Sequence, residues 1–152
     1  MLDLTAELRR VVGALDAAGA TYALAGGLAV SIYSTPRATQ DIDLLLAVAD
    51  ADRATSALQS LGFRVAGRPM PVAGGRMDIQ RFIKVDGTDV LPVDLLLPLD
   101  PELAGILADR AEITWEGTSL WIVTIPGLRT LKRLRGSAQD RADLEALGPD
   151  SP

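Results

Sequence analysis

The chain has 152 residues, of which 48% are hydrophobic and 23% charged, a size and composition typical of one globular domain. It contains no cysteine and no histidine, which excludes a disulfide framework, a zinc site built on Cys or His, a thiol nucleophile and a Ser-His-Asp triad. The formal net charge of −5 argues against a broad nucleic-acid-binding surface, and an enzyme of this composition must rely on carboxylates, Lys, Arg and hydroxyl groups.

The first half of the chain predicts alternating helices and strands. Apolar residues recur every three or four positions in its helical segments, whereas its strands are short apolar runs. In chain order the predicted elements are a helix at 3–19, a strand at 21–25, a helix at 28–34 stopped by Pro36, a strand at 41–48, a helix at 50–61, a short strand at 63–66 and a glycine- and proline-rich loop at 67–75. Asp50 is the expected N-cap of the third helix, and Gly62 follows that helix.

The second half predicts two hairpins and ends in helices. Asp86-Gly87 and Glu116-Gly117 are turn signals between strand patterns. The predicted elements are strands at 76–85 and 88–97, a helix at 101–109, strands at 111–115 and 119–124, and helices at 126–135 and 139–147 separated by Gly136-Ser137. Hairpins and crossovers together indicate an α+β (mixed α/β) fold, with a mixed central sheet flanked by helices and two short C-terminal helices. We expect residues 1–152 to form a single domain, because no linker or repeat divides them.

The sequence shows no targeting or membrane segment. Its N-terminal region is amphipathic with early acidic residues, which is not the pattern of a signal peptide. No apolar run reaches the length of a membrane span. We therefore expect a cytoplasmic protein with no membrane partner.

Three aspartates stand out because apolar residues surround them. Asp41 and Asp43 are two apart on a predicted strand, so their side chains point to one face, and Asp94 lies within another apolar strand. Carboxylates in such positions are costly unless a cation compensates them, and oxygen ligands suit Mg²⁺ or Mn²⁺. The alternative is that each aspartate is hydrated at a strand end or caps a turn.

Gly26 and Gly27 join the first predicted strand to the next helix. Glycine lets the backbone approach a phosphate closely, and a helix N-terminus offers amide donors and a positive dipole. A Gly-Gly turn can also be only a tight connection, so by itself the turn is weak support for nucleotide binding.

Two stretches resemble the polymerase-β-like nucleotidyltransferase superfamily. In the first, Ala25–Val30 contains a Gly-Gly turn and Pro36–Leu44 contains Asp-x-Asp, with a later Asp on another strand. In the second, Leu128–Lys132 and Asp140–Leu144 place a helical Lys before a helix with paired Asp, which is similar to the AbiEii-type branch that includes toxins of toxin–antitoxin pairs. The resemblance covers about residues 20–147 and implies a polymerase-β-like core, which small antibiotic nucleotidyltransferases share.

The resemblance implies a reaction. An NTP such as ATP would bind with its triphosphate against Gly26 and Gly27, and Mg²⁺ held by Asp41, Asp43 and Asp94 would bridge the phosphates. An acceptor hydroxyl would attack the α-phosphorus and release pyrophosphate, with Asp94 near the attacking oxygen. Positioning and charge neutralisation supply most of the rate in such a mechanism.

Three further residues are candidates for nucleotide binding. Lys132 could reach the triphosphate from its helix, Arg37 could pair with a phosphate and Thr39 could line the metal site. The alternatives are a solvated helix face for Lys132, a surface position for Arg37 and a strand-entry position for Thr39. The sequence leaves the roles of Asp140 and Asp143 open.

The sequence does not identify the acceptor of the transferred nucleotide. A toxin-like enzyme would modify RNA or protein and would have an antitoxin partner, and Arg129, Lys132, Arg133 and Arg135 form a local basic strip for such a role. The alternatives are a transferase acting on a small hydroxylated molecule such as an antibiotic, and a catalytically silent nucleotide-binding module. The sequence departs from many AbiEii-type proteins in having only two short helices after the core.

Overall fold

The structure is a computed structural model and describes residues 1–34, 41–135 and 138–148. Its helices are α1 (Leu4–Ala17), α2 (Gly26–Tyr33), α3 (Ala51–Ser60), α4 (Pro101–Ala108), α5 (Ile125–Arg135) and α6 (Ala138–Ala146). Its strands are β1 (Tyr22–Ala25), β2 (Ile42–Leu46), β3 (Arg64–Val72), β4 (Met77–Asp86), β5 (Asp89–Pro98), β6 (Ala111–Trp115) and β7 (Thr118–Ile122). Short 3-10 turns occupy Val48–Asp50 and Ala73–Gly75.

The strands form one mixed sheet in the order β3-β4-β5-β2-β1-β7-β6. The pairs β2–β5 and β1–β7 are parallel, and the other neighbouring pairs are antiparallel. Parallel neighbours need a crossover connection, whereas antiparallel neighbours can be joined by a tight turn. The predicted α+β class with a mixed central sheet is therefore confirmed.

The core lies around the central strands. All four residues of β1 are buried, as are four of the five residues of β2, which agrees with the apolar runs from which both strands were predicted. The amphipathic α1 buries Leu8, Val11, Val12 and Leu15. Burial of an aliphatic side chain of this kind contributes about 1.5–3 kcal/mol, so these residues of α1 stabilise the core around the central strands.

The predicted loop at 67–75 is wrong, because β3 continues through most of it. Strand β3 pairs with β4 up to Val72, with an irregularity between Ala66 and Met70, and only Ala73–Gly75 form a turn. Pro69 and Pro71 suggested a loop, but β3 is an edge strand, where a residue without an amide N–H is tolerated.

Three local predictions are also corrected. Helix α2 begins at Gly26 rather than at residue 28. Asp50 is the N-cap residue of α3, as predicted, but its carboxylate makes no capping hydrogen bond to that helix and instead accepts from the Thr21 amide at 2.8 Å. The first hairpin turns at Gly87 and Thr88, one residue later than predicted, and this shift changes the pairing of β4 with β5. The helix stop at Pro36 and the break at Gly136-Ser137 lie outside the described residues.

Within the described part of the chain, no helix combines the length and the apolar character needed to cross a bilayer.

Candidate active site

A row of residues crosses the middle of the sheet at one level. Asp43 on β2 pairs with Ala25 on β1 and with Asp94 on β5, and Asp94 pairs with Arg81 on β4. Residues that are directly opposite on neighbouring strands project from the same face. The pairing therefore puts the side chains of Asp43, Asp94 and Arg81 side by side, although they come from three separate parts of the chain.

Gly26 fits this row only because it lacks a side chain. Its φ is +67°, and a Cβ atom added there would lie 1.9 Å from Oδ2 of Asp43. No L-residue with a side chain could occupy that space without displacing the carboxylate. Because α2 begins at Gly26, the carboxylate of Asp43 lies directly beside the first turn of that helix.

Arg81 binds Asp94 through two parallel hydrogen bonds. Its Nε donates to Oδ1 at 2.8 Å and its Nη2 donates to Oδ2 at 2.9 Å, and the same Nη2 lies 3.9 Å from Oδ2 of Asp41. The hydrogen bond to Asp94, followed by the negative charges of Asp94, Asp41 and Asp43, raises the pKa of Arg81 against the opposing effect of burial. Three carboxylates therefore lie close to the permanent positive charge of Arg81.

The donor chemistry of this site fits a hard divalent cation. Asp41, Asp43 and Asp94 offer carboxylate oxygens, which Mg²⁺ and Mn²⁺ prefer, and Gly26 leaves Asp43 room beside the helix. Among the described residues, however, no group of three or more acidic side chains is arranged as a metal-binding cluster. The guanidinium of Arg81 explains why these carboxylates do not converge, since it binds both oxygens of Asp94 and lies near Asp41. The three-aspartate ligand set stays a prediction.

Two openings flank Asp43. The larger, which we call the acid cleft, has a volume of about 350 Å³ and is lined by Asp43, Ala66, Arg68, Met70, Ile79, Arg81, Asp94 and Leu96. The smaller is a cavity of about 20 Å³, whose lining includes Gly26, Asp43, Leu131 and Lys132. The carboxylate of Asp43 thus separates an open cleft from a narrow space that reaches α5.

Lys132 is buried, not solvated. Its Nζ lies 2.8 Å from Oδ2 of Asp143 and 3.3 Å from Oδ1 of Asp140, and all three side chains are at most 5% exposed. The solvated-face alternative for Lys132 is therefore wrong, and Asp140 and Asp143, whose positions the sequence left open, are buried beside it. The ion pairs link α5 to α6, and they hold Lys132 at the wall of the narrow cavity beside Gly26.

The basic strip on α5 is interrupted by burial. Arg129 is 6% exposed, and its Nη2 donates to the carbonyl oxygens of Leu147 and Gly148 at 3.0 and 3.2 Å. Because Lys132 is buried as well, only Arg133 among the strip residues with a described side chain is exposed.

Comparisons with known proteins give a consistent picture at the level of fold. No protein-family model matches the chain, and no curated protein sequence does. Among solved structures, the antibiotic-resistance factor ANT(2'')-Ia has a TM-score of 0.66 at 13% identity over 96% of this chain and 84% of that chain. The lincomycin-bound lincosamide antibiotic adenylyltransferase LnuA has a TM-score of 0.61 at 13% identity over 93% of this chain and 94% of that chain. An antigenic nucleotidyltransferase-like protein from Paracoccidioides brasiliensis has a TM-score of 0.58 at 21% identity over 94% of this chain and 74% of that chain.

The chain has a nucleotidyltransferase fold. The predicted fold is thereby confirmed, whereas the AbiEii-type branch stays a prediction.

Two of the predicted nucleotide-binding residues are not placed by the structure. Arg37 and Thr39 lie outside the described residues, so their roles stay predictions. The other candidates, Gly26, Gly27 and Lys132, belong to α2 and α5, which pack against each other.

Sequence reasoning missed Arg81. The predicted turn at Asp86-Gly87 would have put Arg81 opposite Pro92, whereas the actual turn at Gly87 and Thr88 puts it opposite Asp94. In this nucleotidyltransferase fold a one-residue difference in a hairpin turn therefore decides whether the arginine pairs with a candidate catalytic residue.

Proposed function

We propose that the protein is a Mg²⁺-dependent nucleotidyltransferase that transfers an NMP from an NTP to an acceptor hydroxyl. One observation carries the proposal: Asp43 and Asp94 are in register on neighbouring strands, at the place where the backbone of Gly26 begins α2 against the Asp43 carboxylate. Carboxylates that can bind a metal then lie beside a helix N-terminus that can bind a phosphate. Nucleotidyl transfer needs both features at one site.

In this proposal the triphosphate binds at the start of α2. The amides of Gly26 and Gly27 donate to phosphate oxygens, and the positive end of the helix dipole favours the negative charge. Lys132, at the wall of the adjoining cavity, contributes a positive charge from the side of α5. Arg37 and Thr39 are proposed to complete the nucleotide site from the segment before β2.

Asp41, Asp43 and Asp94 would hold the metal, which when bound would neutralise phosphate charge and favour ionisation of the acceptor hydroxyl. The acceptor oxygen forms a bond to the α-phosphorus while the bond from that phosphorus to the leaving oxygen breaks, and pyrophosphate departs with the electron pair. Asp94 takes the proton of the hydroxyl. The residues of this chain act mainly by orienting the two reactants and by fixing charge near them.

We propose a small hydroxylated molecule as the acceptor. The acid cleft, at about 350 Å³, is in the range of small-molecule sites, and its apolar side chains (Ala66, Met70, Ile79 and Leu96) suit a ligand with an apolar face. The fold is shared with LnuA, whose structure contains lincomycin, and with ANT(2'')-Ia, which has been seen with adenylyl-2''-tobramycin. An RNA or protein acceptor and an antitoxin partner rest on the sequence resemblance and, for RNA, on the basic strip. The burial of Arg129 and Lys132 removes much of that strip.

The proposal is tested with the purified protein, Mg²⁺ and each α-labelled NTP. Transfer is measured to a panel of aminoglycosides and lincosamides, and separately to total RNA and to protein. We expect label on a small acceptor with equimolar release of pyrophosphate. Label on RNA or protein alone would contradict the small-molecule acceptor but support nucleotidyl transfer. Absence of transfer to every acceptor would contradict the proposed nucleotidyltransferase activity.

The decisive variant is Asp43→Asn, which keeps the shape of the side chain but removes its charge. We expect the transfer rate to fall at least about 100-fold, because the lost interaction acts in the transition state. The apo protein should not melt lower, since clustered carboxylates repel one another. The matched control is Asp109→Asn, at an exposed position after α4, which should keep the wild-type rate. Equal rates for the two variants would exclude Asp43 from the chemistry.

A further inference from the structure

We propose that Arg81 is an internal counter-cation of the metal site. It neutralises Asp94 when no divalent cation is bound, it competes with the cation for that carboxylate, and it thereby sets the metal affinity of the enzyme. The inference rests on the proposed function only in taking Asp94 as a metal ligand.

The pairing geometry supports competition. The guanidinium uses two donors on two oxygens of one carboxylate, which is the strongest arrangement that an arginine and an aspartate form. A divalent cation at the same carboxylate would lie close to a group of the same charge sign. Each cation therefore weakens the binding of the other to Asp94, and the two effects are equal by linkage.

Burial explains why a counter-cation is needed. Asp94 is 8% exposed, and a carboxylate at that depth is strongly disfavoured when no positive charge pairs with it. Arg81 can compensate Asp94 whenever the metal is absent, which lets the folded apo protein tolerate three neighbouring carboxylates.

Exposure explains how Arg81 can leave. Its side chain is 48% exposed and lines the acid cleft, whereas the side chain of Asp94 is 11% exposed. The carboxylate is thus fixed by its surroundings, and the guanidinium can turn into the open cleft. Asp41 lies 3.9 Å from the same Nη2 that donates to Asp94, so Arg81 is close to two of the three predicted ligands.

The chain offers a matched control in Arg68. It carries the same charge and lines the same cleft, but within the described residues it has no ion pair with a carboxylate. Arg68→Gln therefore changes the general charge of the cleft as Arg81→Gln does, while leaving the Arg81–Asp94 pair intact.

The experiment measures Mn²⁺ binding to the nucleotide-free protein, by electron paramagnetic resonance of the free ion, and melting temperature with EDTA or with Mn²⁺. For Arg81→Gln we expect about tenfold or more tighter Mn²⁺ binding than for wild type, in the range of typical coupling between two sites. The variant should melt lower than wild type in EDTA and gain more from Mn²⁺. Arg81→Lys keeps the charge without the planar fork and should lie between the two, which keeps the test valid if Arg81→Gln does not fold. Arg68→Gln should change the Mn²⁺ affinity less than Arg81→Gln does.

The outcomes separate this inference from the proposed function. Wild type that binds Mn²⁺ as tightly as both Arg81 variants would overturn the counter-cation role and leave the metal site standing. Absence of Mn²⁺ binding in wild type and in every variant would overturn both. Binding that appears only when Arg81 is replaced would support the inference, because the arginine would then be shown to exclude the metal.

Discussion

At the scale of single residues, Gly26 is the position where backbone conformation and site chemistry depend on each other. Its positive φ is expensive for an L-residue, and the space for its missing Cβ is occupied by the carboxylate of Asp43. Glycine at this position therefore allows the backbone turn into α2 and also leaves space for the carboxylate of Asp43, a candidate metal ligand.

We expect Gly26→Ala to lower the free energy of unfolding by at least about 1–2 kcal/mol, because the left-handed conformation and the contact with Asp43 both oppose the methyl group. Metal and nucleotide binding should weaken as Asp43 moves. Denaturant unfolding and calorimetry measure the two effects.

The control for this prediction is Gly13→Ala. Gly13 is exposed within α1, and a Cβ there would meet nothing within 4 Å. Alanine is the better helix former, so this variant should gain about 0.5–1 kcal/mol. A Gly26→Ala protein as stable as Gly13→Ala would show that the Asp43 carboxylate moves aside without cost.

At the scale of elements, the contact between α5 and α6 depends on buried charge. Lys132 lies between Asp140 and Asp143, and Arg129 donates to carbonyl oxygens after the end of α6. Helix α6 is nine residues long, too short to be stable alone in water, so these contacts decide whether it forms.

We expect Lys132→Met to destabilise the protein by about 3–5 kcal/mol, because it breaks two buried ion pairs at once. Hydrogen exchange should show the largest loss of protection in α6. Adding Asp140→Asn and Asp143→Asn to this variant should recover part of the loss, since it removes the two negative charges that Lys132 compensates in the wild type. A Lys132→Met protein with wild-type stability and protection would contradict a structural role for the ion pairs of Lys132 with Asp140 and Asp143.

At the scale of the whole molecule, the sheet order brings together segments that are distant in sequence. Strand β5 lies next to β2 although β3 and β4 come between them in the chain, and this crossover puts Asp94 beside Asp43. The site is therefore a property of the folded sheet, and a ligand that binds it should stabilise the whole fold.

We expect Mg²⁺ with NTP at about 100 times its Kd to stabilise the protein by about 2.7 kcal/mol, which raises Tm by about 5–10 °C for a chain of this length. Differential scanning calorimetry measures the shift. Mg²⁺ with the corresponding nucleoside should give little shift, because it lacks the phosphates. An equal shift with nucleoside would contradict triphosphate binding at α2.

The sequence by itself determined most of the local structure and the identity of the candidate acids. Apart from the second half of β3, apolar periodicity located the helices and strands of the described residues to within a few residues, since burial of one face imposes that spacing. Asp43 and Asp94 stood out because a charged residue in an apolar strand needs compensation, and Gly26-Gly27 stood out as a strand-to-helix turn.

Only the tertiary structure decided how these residues meet. Strand register put Arg81 on Asp94, strand pairing extended β3 through a stretch of proline and glycine, and helix packing buried Lys132 between Asp140 and Asp143. These outcomes depend on contacts between residues far apart in the chain, which local patterns do not encode. A two-residue change of register leaves the apolar pattern of a strand unchanged but changes every cross-strand partner. The ion pair between Arg81 and Asp94 therefore could not be predicted from the sequence.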